Sequence, residues 1–191
     1  MIIMFIGPSG SGKDTFFYPT LKEYALNPII LSTTRPMRKG EVDKKTYYFI
    51  TMDQMNLLER QKKLVERRNY QTVNGLWSYA TNSDQIDLAS NYLTLNTWEA
   101  YQKFVQFYGS DQIVPLYFHV DDGIRLQRSL ERERSQKAPN YKELCRRYLA
   151  DTKDFDESYL TRYNPYIIDN DGSIEKTQKE INSVLKKVLK K

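Results

Sequence analysis

Histidine and cysteine each occur once in the 191 residues, as His119 and Cys145. A single cysteine rules out an intrachain disulfide, which suits a reducing compartment, and a cytoplasmic location is expected. One histidine excludes the usual Cys/His zinc sites and argues against a Ser-His-Asp hydrolase. His119 lies inside the apolar run 113–120 and reads as a strand residue rather than a catalytic base. No apolar run approaches the roughly 18–20 residues of a membrane span. The N-terminus is apolar from the second residue with no basic segment before it, so it reads as a buried strand and not a secretory leader. There is no internal repeat, no low-complexity tract and no aromatic–basic recognition motif. The net charge of +5 is spread along the chain. Small polyanions are therefore the expected partners, with neither nucleic acid nor a membrane surface. The lysines at 186, 187, 190 and 191 read as a solvated helix end.

Glycine is also scarce. Of eight, three fall between positions 7 and 12. The stretch Gly7-Pro8-Ser9-Gly10-Ser11-Gly12-Lys13-Asp14-Thr15 directly follows the apolar run 1–6 and opens an amphipathic segment. A strand, a glycine-rich turn, a lysine and a helix in that order form a phosphate cradle. Successive N–H groups turn inward, the helix presents its positive end, and Lys13 adds a full charge near the terminal phosphate. A plain glycine-rich turn is the competing reading. Gly7, Ser9, Gly10, Ser11, Gly12, Lys13, Asp14 and Thr15 are the expected ATP contacts. The residue after such a lysine is normally Ser or Thr, whose hydroxyl binds Mg2+. Here it is Asp14, with Thr15 next, and either can hold the metal.

Apolar strand-like and amphipathic helix-like runs alternate. Strands are expected at 2–6, 29–33, 47–51, 64–72, 76–81, 92–96, 113–120 and 166–169, and helices at 13–25, 53–61, 83–90, 98–108, 122–134, 141–159 and 174–190. Pro19 is expected to distort the first helix without ending it. The alternation argues for one α/β domain with a parallel central sheet and flanking helices. Residues 29–81 break the pattern with successive short strands, which predicts a small mixed sheet set apart from the main one.

A second anion site is suggested by Ser32-Thr33-Thr34-Arg35-Pro36-Met37-Arg38-Lys39-Gly40-Glu41-Val42-Asp43, leading to Tyr47-Tyr48-Phe49. Guanidinium forks match phosphate oxygens, and a tyrosine hydroxyl adds a donor. A solvated basic turn would look the same in isolation. Together the two segments resemble the guanylate kinase family, with its GPSG-x-GK loop and its S-x-TTR-x-PR-x-GE segment followed by Y-x-F. The likeness covers nearly the whole length.

The resemblance implies a P-loop NTPase core (1–31, 82–130, 145–191), a small mixed β acceptor-binding subdomain (32–81) and a helical lid (131–144). It also implies ATP and Mg2+, and transfer of phosphate to a nucleoside monophosphate, GMP or dGMP, by a monomer or homodimer. Ser32, Arg35, Arg38 and Tyr47 would hold the acceptor, with Glu66 on the guanine edge and Tyr79 and Thr81 completing its site. Lys13, Arg38, Arg132 and Arg147 would be catalytic, while Arg128 and Asn170 would join the ATP site. A surface strand around Glu66 and an ion-paired helix face around Arg125, Arg128 and Arg132 are the plain structural alternatives.

The sequence departs from the family in several places. Leu31 stands where the family has a guanine-contacting serine. Thr94 and Asn96 stand where it has aspartates near metal and base, Asn96 remaining a substrate-site candidate. The stretch from Glu66 to Tyr79 is longer than the family's. Gly12-Lys13-Asp14 and Asn170-Asp171-Gly172-Ser173 are also similar to ribose 1,5-bisphosphate phosphokinases, and a non-catalytic interaction module of the same fold is a third reading.

Overall fold

The computed structural model describes residues 1–37, 40–72 and 75–189. The core is a five-stranded parallel sheet in the order β2-β7-β1-β8-β9, built from β1 (Ile2–Ile6), β2 (Asn27–Pro28), β7 (Tyr92–Asn96), β8 (Ile113–His119) and β9 (Tyr166–Asp169). β1 is central, and all five of its side chains are buried. Alternation along it sends Ile2, Met4 and Ile6 to one face and Ile3 and Phe5 to the other. The first face packs on α3 (Trp98–Tyr108) and α6 (Ser158–Tyr163), through Trp98, Tyr101, Phe104, Tyr159 and Tyr163. The second packs on α1 (Lys13–Glu23) and α7 (Ile174–Val188), through Phe16, Ile181, Leu185 and Val188. This two-faced burial is why β1 is continuously apolar while α7 carries an apolar stripe only. Pro19 lies inside α1 without ending it.

A second, four-stranded sheet has the order β4-β3-β6-β5, from β3 (Ser32–Thr33), β4 (Tyr48–Phe49), β5 (Leu64–Thr72) and β6 (Gly75–Asn82). It is mixed: β3 runs parallel to β4 and antiparallel to β6, and β5–β6 is an antiparallel hairpin. α2 (Met52–Arg60) precedes the hairpin, with a reciprocal cap between Thr51 and Gln54. α4 (Asp122–Arg134) and α5 (Tyr141–Asp154) complete the chain. Among the described residues no helix is long and apolar enough to cross a membrane.

Three expected elements differ. The strand expected at 29–33 is two short strands in two sheets. Asn27–Pro28 edges the main sheet and Ser32–Thr33 belongs to the second, so the chain crosses between sheets here. The helix expected at 83–90 is one 3-10 turn, Ser83–Gln85. Ile86 turns extended to pack in the core, and Asp87 accepts from the N–H of Ala89 instead of continuing a helix. The helix expected at 141–159 breaks at Phe155, whose ring is drawn into the core. Asp156 then accepts from the N–H of Ser158 at the start of α6.

Candidate nucleotide site

In a parallel sheet the ends of neighbouring strands open on the same side, and ligands collect there. Ile6 pairs with Asn96 and Tyr117, and His119 pairs with Asp169, so the loops after β1, β7, β8 and β9 meet at one edge. The loop after β1 holds Gly10 and Gly12 at φ of 83° and 82°, a conformation costly for residues with a Cβ. Space matters as well. A Cβ on Gly10 would lie 2.6 Å from Ser129 Oγ, and one on Gly12 would land on Asn170 Nδ2. The turn can therefore sit against α4 and the β9–α7 loop only as glycine.

Asn170 is the residue that pins this loop. Its Nδ2 donates to the Ser11 carbonyl (2.6 Å), and its Oδ1 accepts from Thr177 Oγ1 (3.0 Å). Its own carbonyl accepts from Arg128 Nη2 (2.9 Å). Lys13 Nζ donates to the Pro8 carbonyl (3.2 Å), which folds the ammonium back along the loop. Burial holds the Lys13 pKa below the ordinary lysine value. Asp14 and Asp151 oppose that shift, and the positive charge of Arg132 adds to it. Arg132 and Arg147 line a small cavity together with Ser9. Arg147 is anchored loosely, 3.9 Å from Glu133 and 3.6 Å from Glu143.

Asp14 and Thr15 sit exposed in the first turn of α1. Asn96 is buried at the end of β7, with Nδ2 donating to Thr94 Oγ1 and with Oδ1 lacking a partner among the described residues. The Asp14 carboxylate and the Thr15 hydroxyl are hard oxygen donors, the chemistry that Mg2+ takes, so these two residues fit the ion.

The second cluster lies on the four-stranded sheet. Arg35, 4% exposed, makes a bidentate pair with Glu41; its Nη1 also donates to the Pro36 carbonyl and its Nε to Tyr79 Oη (3.2 Å). Its guanidinium carbon lies 5.0 Å from the Tyr47 ring centroid. The Glu41 hydrogen bonds, partly offset by desolvation, hold the Arg35 pKa above its ordinary value, so the group is a fixed cation. Ser32 is buried in β3, paired with Ala80. Glu66 is 5% exposed and accepts from Thr81 Oγ1 (3.1 Å) and Arg68 Nε (3.0 Å). Arg38 lies outside the described residues.

The sequence-derived residues thus fall into two groups. Gly7 to Thr15, Arg128, Arg132, Arg147 and Asn170 gather at the sheet edge; Ser32, Arg35, Tyr47, Glu66, Tyr79 and Thr81 gather on the second sheet. Asn96 ends β7, beside the first group. His119 is exposed at the end of β8. Two neighbours were not anticipated. Arg68 touches Glu66, and its signal was available, because residues two apart on a strand share a face. Asp151 Oδ2 accepts from the N–H of Ser9 (2.7 Å), and no local pattern announces that contact.

Comparisons with known proteins bear on the family and the fold. The guanylate kinase family model matches residues 1–188. A rice guanylate kinase 2, chloroplastic/mitochondrial, is 37% identical over 67 residues, 35% of this chain and 24% of that protein. A Lactococcus lactis guanylate kinase is 39% identical over 75 residues, 37% and 35% of the two chains. The aligned stretches thus span about a quarter to a third of these relatives' length. The crystal structure of guanylate kinase from Anaplasma phagocytophilum superposes with a TM-score of 0.63 at 21% identity, covering 98% of this chain and 85% of that one, a likeness of fold.

Proposed function

Since the chain belongs to the guanylate kinase family, we propose that it transfers the γ-phosphoryl group of ATP to a nucleoside monophosphate, GMP or dGMP, yielding the diphosphate and ADP. The observation that carries this reading is the Arg35–Tyr79 contact on the same small sheet as the buried carboxylate of Glu66. A fixed cation with a phenol suits a phosphate, and an acceptor-only carboxylate suits the donor edge of guanine.

In this mechanism the loop amides and Lys13 hold the β- and γ-phosphates. Arg35, Arg38, Tyr47 and Tyr79 hold the acceptor phosphate, with Ser32 and Thr81 shaping the pocket. The attacking oxygen belongs to a phosphate with a second pKa of about 6, so it is already ionised near neutral pH and no side chain has to remove a proton. Arg132 and Arg147 stabilise charge on the transferring group, and in-line positioning supplies much of the remaining acceleration. Arg128 and Asn170 shape the ATP end of the site. Asn96 would line the acceptor site, and Asp14 or Thr15 would hold Mg2+. A magnesium ion held there would supply charge neutralisation to the bound phosphates. The acceptor-binding unit comprises 32–81 and the lid 131–144, the rest being the core. Their closure excludes water, the competing acceptor. The protein acts as a monomer or homodimer in the cytoplasm.

The test is an acceptor panel. Purified protein with ATP and Mg2+ is offered GMP, dGMP, AMP, CMP, UMP and ribose 1,5-bisphosphate, and products are separated by anion exchange. Consumption of GMP and dGMP ahead of the others is expected. Preferential consumption of ribose 1,5-bisphosphate would replace this reading with the sugar-phosphate one, and consumption of none would leave a binding module.

A further inference from the structure

We propose that Arg68 is a specificity-determining residue of the acceptor site, reading the 6-oxo group of guanine beside Glu66. The inference rests on the acceptor reading above and refines it to the recognition of 6-oxopurines.

Glu66, Arg68 and Tyr70 alternate onto one face of β5, opposite the Trp77, Tyr79 and Thr81 face of β6. On that face Arg68 Nε donates to Glu66 Oε2 at 3.0 Å, and Arg68 Nη2 lies 3.5 Å from Oε1. Thr81 Oγ1 donates to Oε1 from the other side. The carboxylate is thus fixed in orientation, and its charge is compensated before any ligand arrives. A guanidinium has five N–H donors. Those not aimed at Glu66 remain for a ligand. Among the described residues, Arg68 also lines a cavity of about 430 Å³, with Leu31, Tyr47, Tyr70, Trp77 and Tyr79. Leu31 offers that cavity no polar group.

The resulting edge is two acceptors followed by a donor: the oxygens of Glu66, then the guanidinium of Arg68. Guanine presents the complement, with the 2-amino and N1–H donors next to the O6 acceptor, and arginine is a good partner for that oxygen. Adenine would turn a bare N1 lone pair toward the carboxylate. The phosphate end of the site is marked separately by Arg35 bound to Tyr79. Because Arg68 is tied to the base-reading carboxylate instead, its role is assigned to the base.

The probes are GMP and 6-thio-GMP, which keeps the 2-amino and N1–H groups and replaces O6 by sulfur, a weak acceptor. Binding is measured by calorimetry for the wild type, Arg68→Met and Arg68→Lys, with a non-hydrolysable ATP analogue as a check on the rest of the site. The wild type should prefer GMP by about tenfold, one good hydrogen bond. Arg68→Met should bring the two within about twofold, and Arg68→Lys should recover part of the preference. ATP-analogue affinity should be unchanged in all three. An undiminished preference in Arg68→Met would overturn the assignment, and so would tighter GMP binding in that variant, which would mean that Arg68 merely competes with the base for Glu66. Either result in a protein that still phosphorylates GMP would leave the kinase reading standing. A wild type that binds neither compound would overturn both.

Discussion

The side-chain amide of Asn170 donates to the backbone carbonyl of Ser11 across 159 positions of sequence, at 2.6 Å. The bond is buried, and Thr177 holds the other end of the amide. The phosphate loop therefore does not keep its shape by glycine alone; it is tied to the β9–α7 connection. Asn170→Ala leaves the Ser11 carbonyl and Thr177 hydroxyl without this partner. The expected cost is about 1–3 kcal/mol of stability, seen as a lower thermal midpoint in nucleotide-free protein, together with a raised KM for ATP. An unchanged midpoint with only a KM effect would mean that Asn170 contributes solely by touching ATP.

In the proposed mechanism Lys13 supplies charge to the terminal phosphates, and its Nζ donates to the Pro8 carbonyl. Lys13→Ala should lower kcat on the order of 10²–10³-fold or more while leaving the circular-dichroism melt near that of the wild type. Steady-state kinetics paired with the melt separate the two effects.

Burial holds the Lys13 pKa below its ordinary 10.5. Phosphate binding requires the ammonium form. ATP affinity should therefore be full at neutral pH and decline as pH rises through the lowered folded-state value, on a limb below pH 10.5. The stability term has the opposite sense: the depressed pKa disfavours the folded state at neutral pH, and this penalty is relieved as pH rises from the folded toward the unfolded value. A kcat/KM profile for ATP checks the first statement. A limb at or above the free-lysine position would contradict it.

Asp151 occupies the Ser9 N–H at 2.7 Å. An incoming phosphate brings charge of the same sign to that donor. Asp151→Asn keeps the shape, removes the charge and weakens the acceptor. ATP should bind severalfold more tightly, on the scale of one charge–charge contact near a surface. Calorimetry at two salt concentrations should show the gain shrinking at the higher one.

Arg35 is committed to Glu41, Pro36 and Tyr79. Arg35→Ala should raise the KM for GMP at least tenfold, at about 1.5–3 kcal/mol for a charged hydrogen-bonded contact, with the KM for ATP within about twofold of wild type. Equal effects on both would mean that the residue supports the fold rather than the acceptor.

The P-loop was legible because its strand, turn and lysine are contiguous, and contiguous patterns survive without knowledge of the fold. β1, β5, β7, α3 and α4 were legible for the same reason, each having one clear periodicity. The 83–90 segment misled because its polar residues suit a helix, whereas Ile86 is needed in the core. The 29–33 run misled because one apolar stretch serves two sheets. In the site, Asp151 could not be read beforehand. It meets Ser9 only because α5 folds back over the loop, 142 positions away. Arg68 was readable in principle from strand alternation beside Glu66.

The most direct test of the account follows the γ-phosphoryl group itself. With γ-labelled ATP, Mg2+ and GMP, the account predicts label in GDP, equal to the ADP formed, and an initial rate of transfer by Lys13→Ala lower by on the order of 10²-fold or more. Label released only as inorganic phosphate, or retained in ATP with folded wild-type protein, would contradict it.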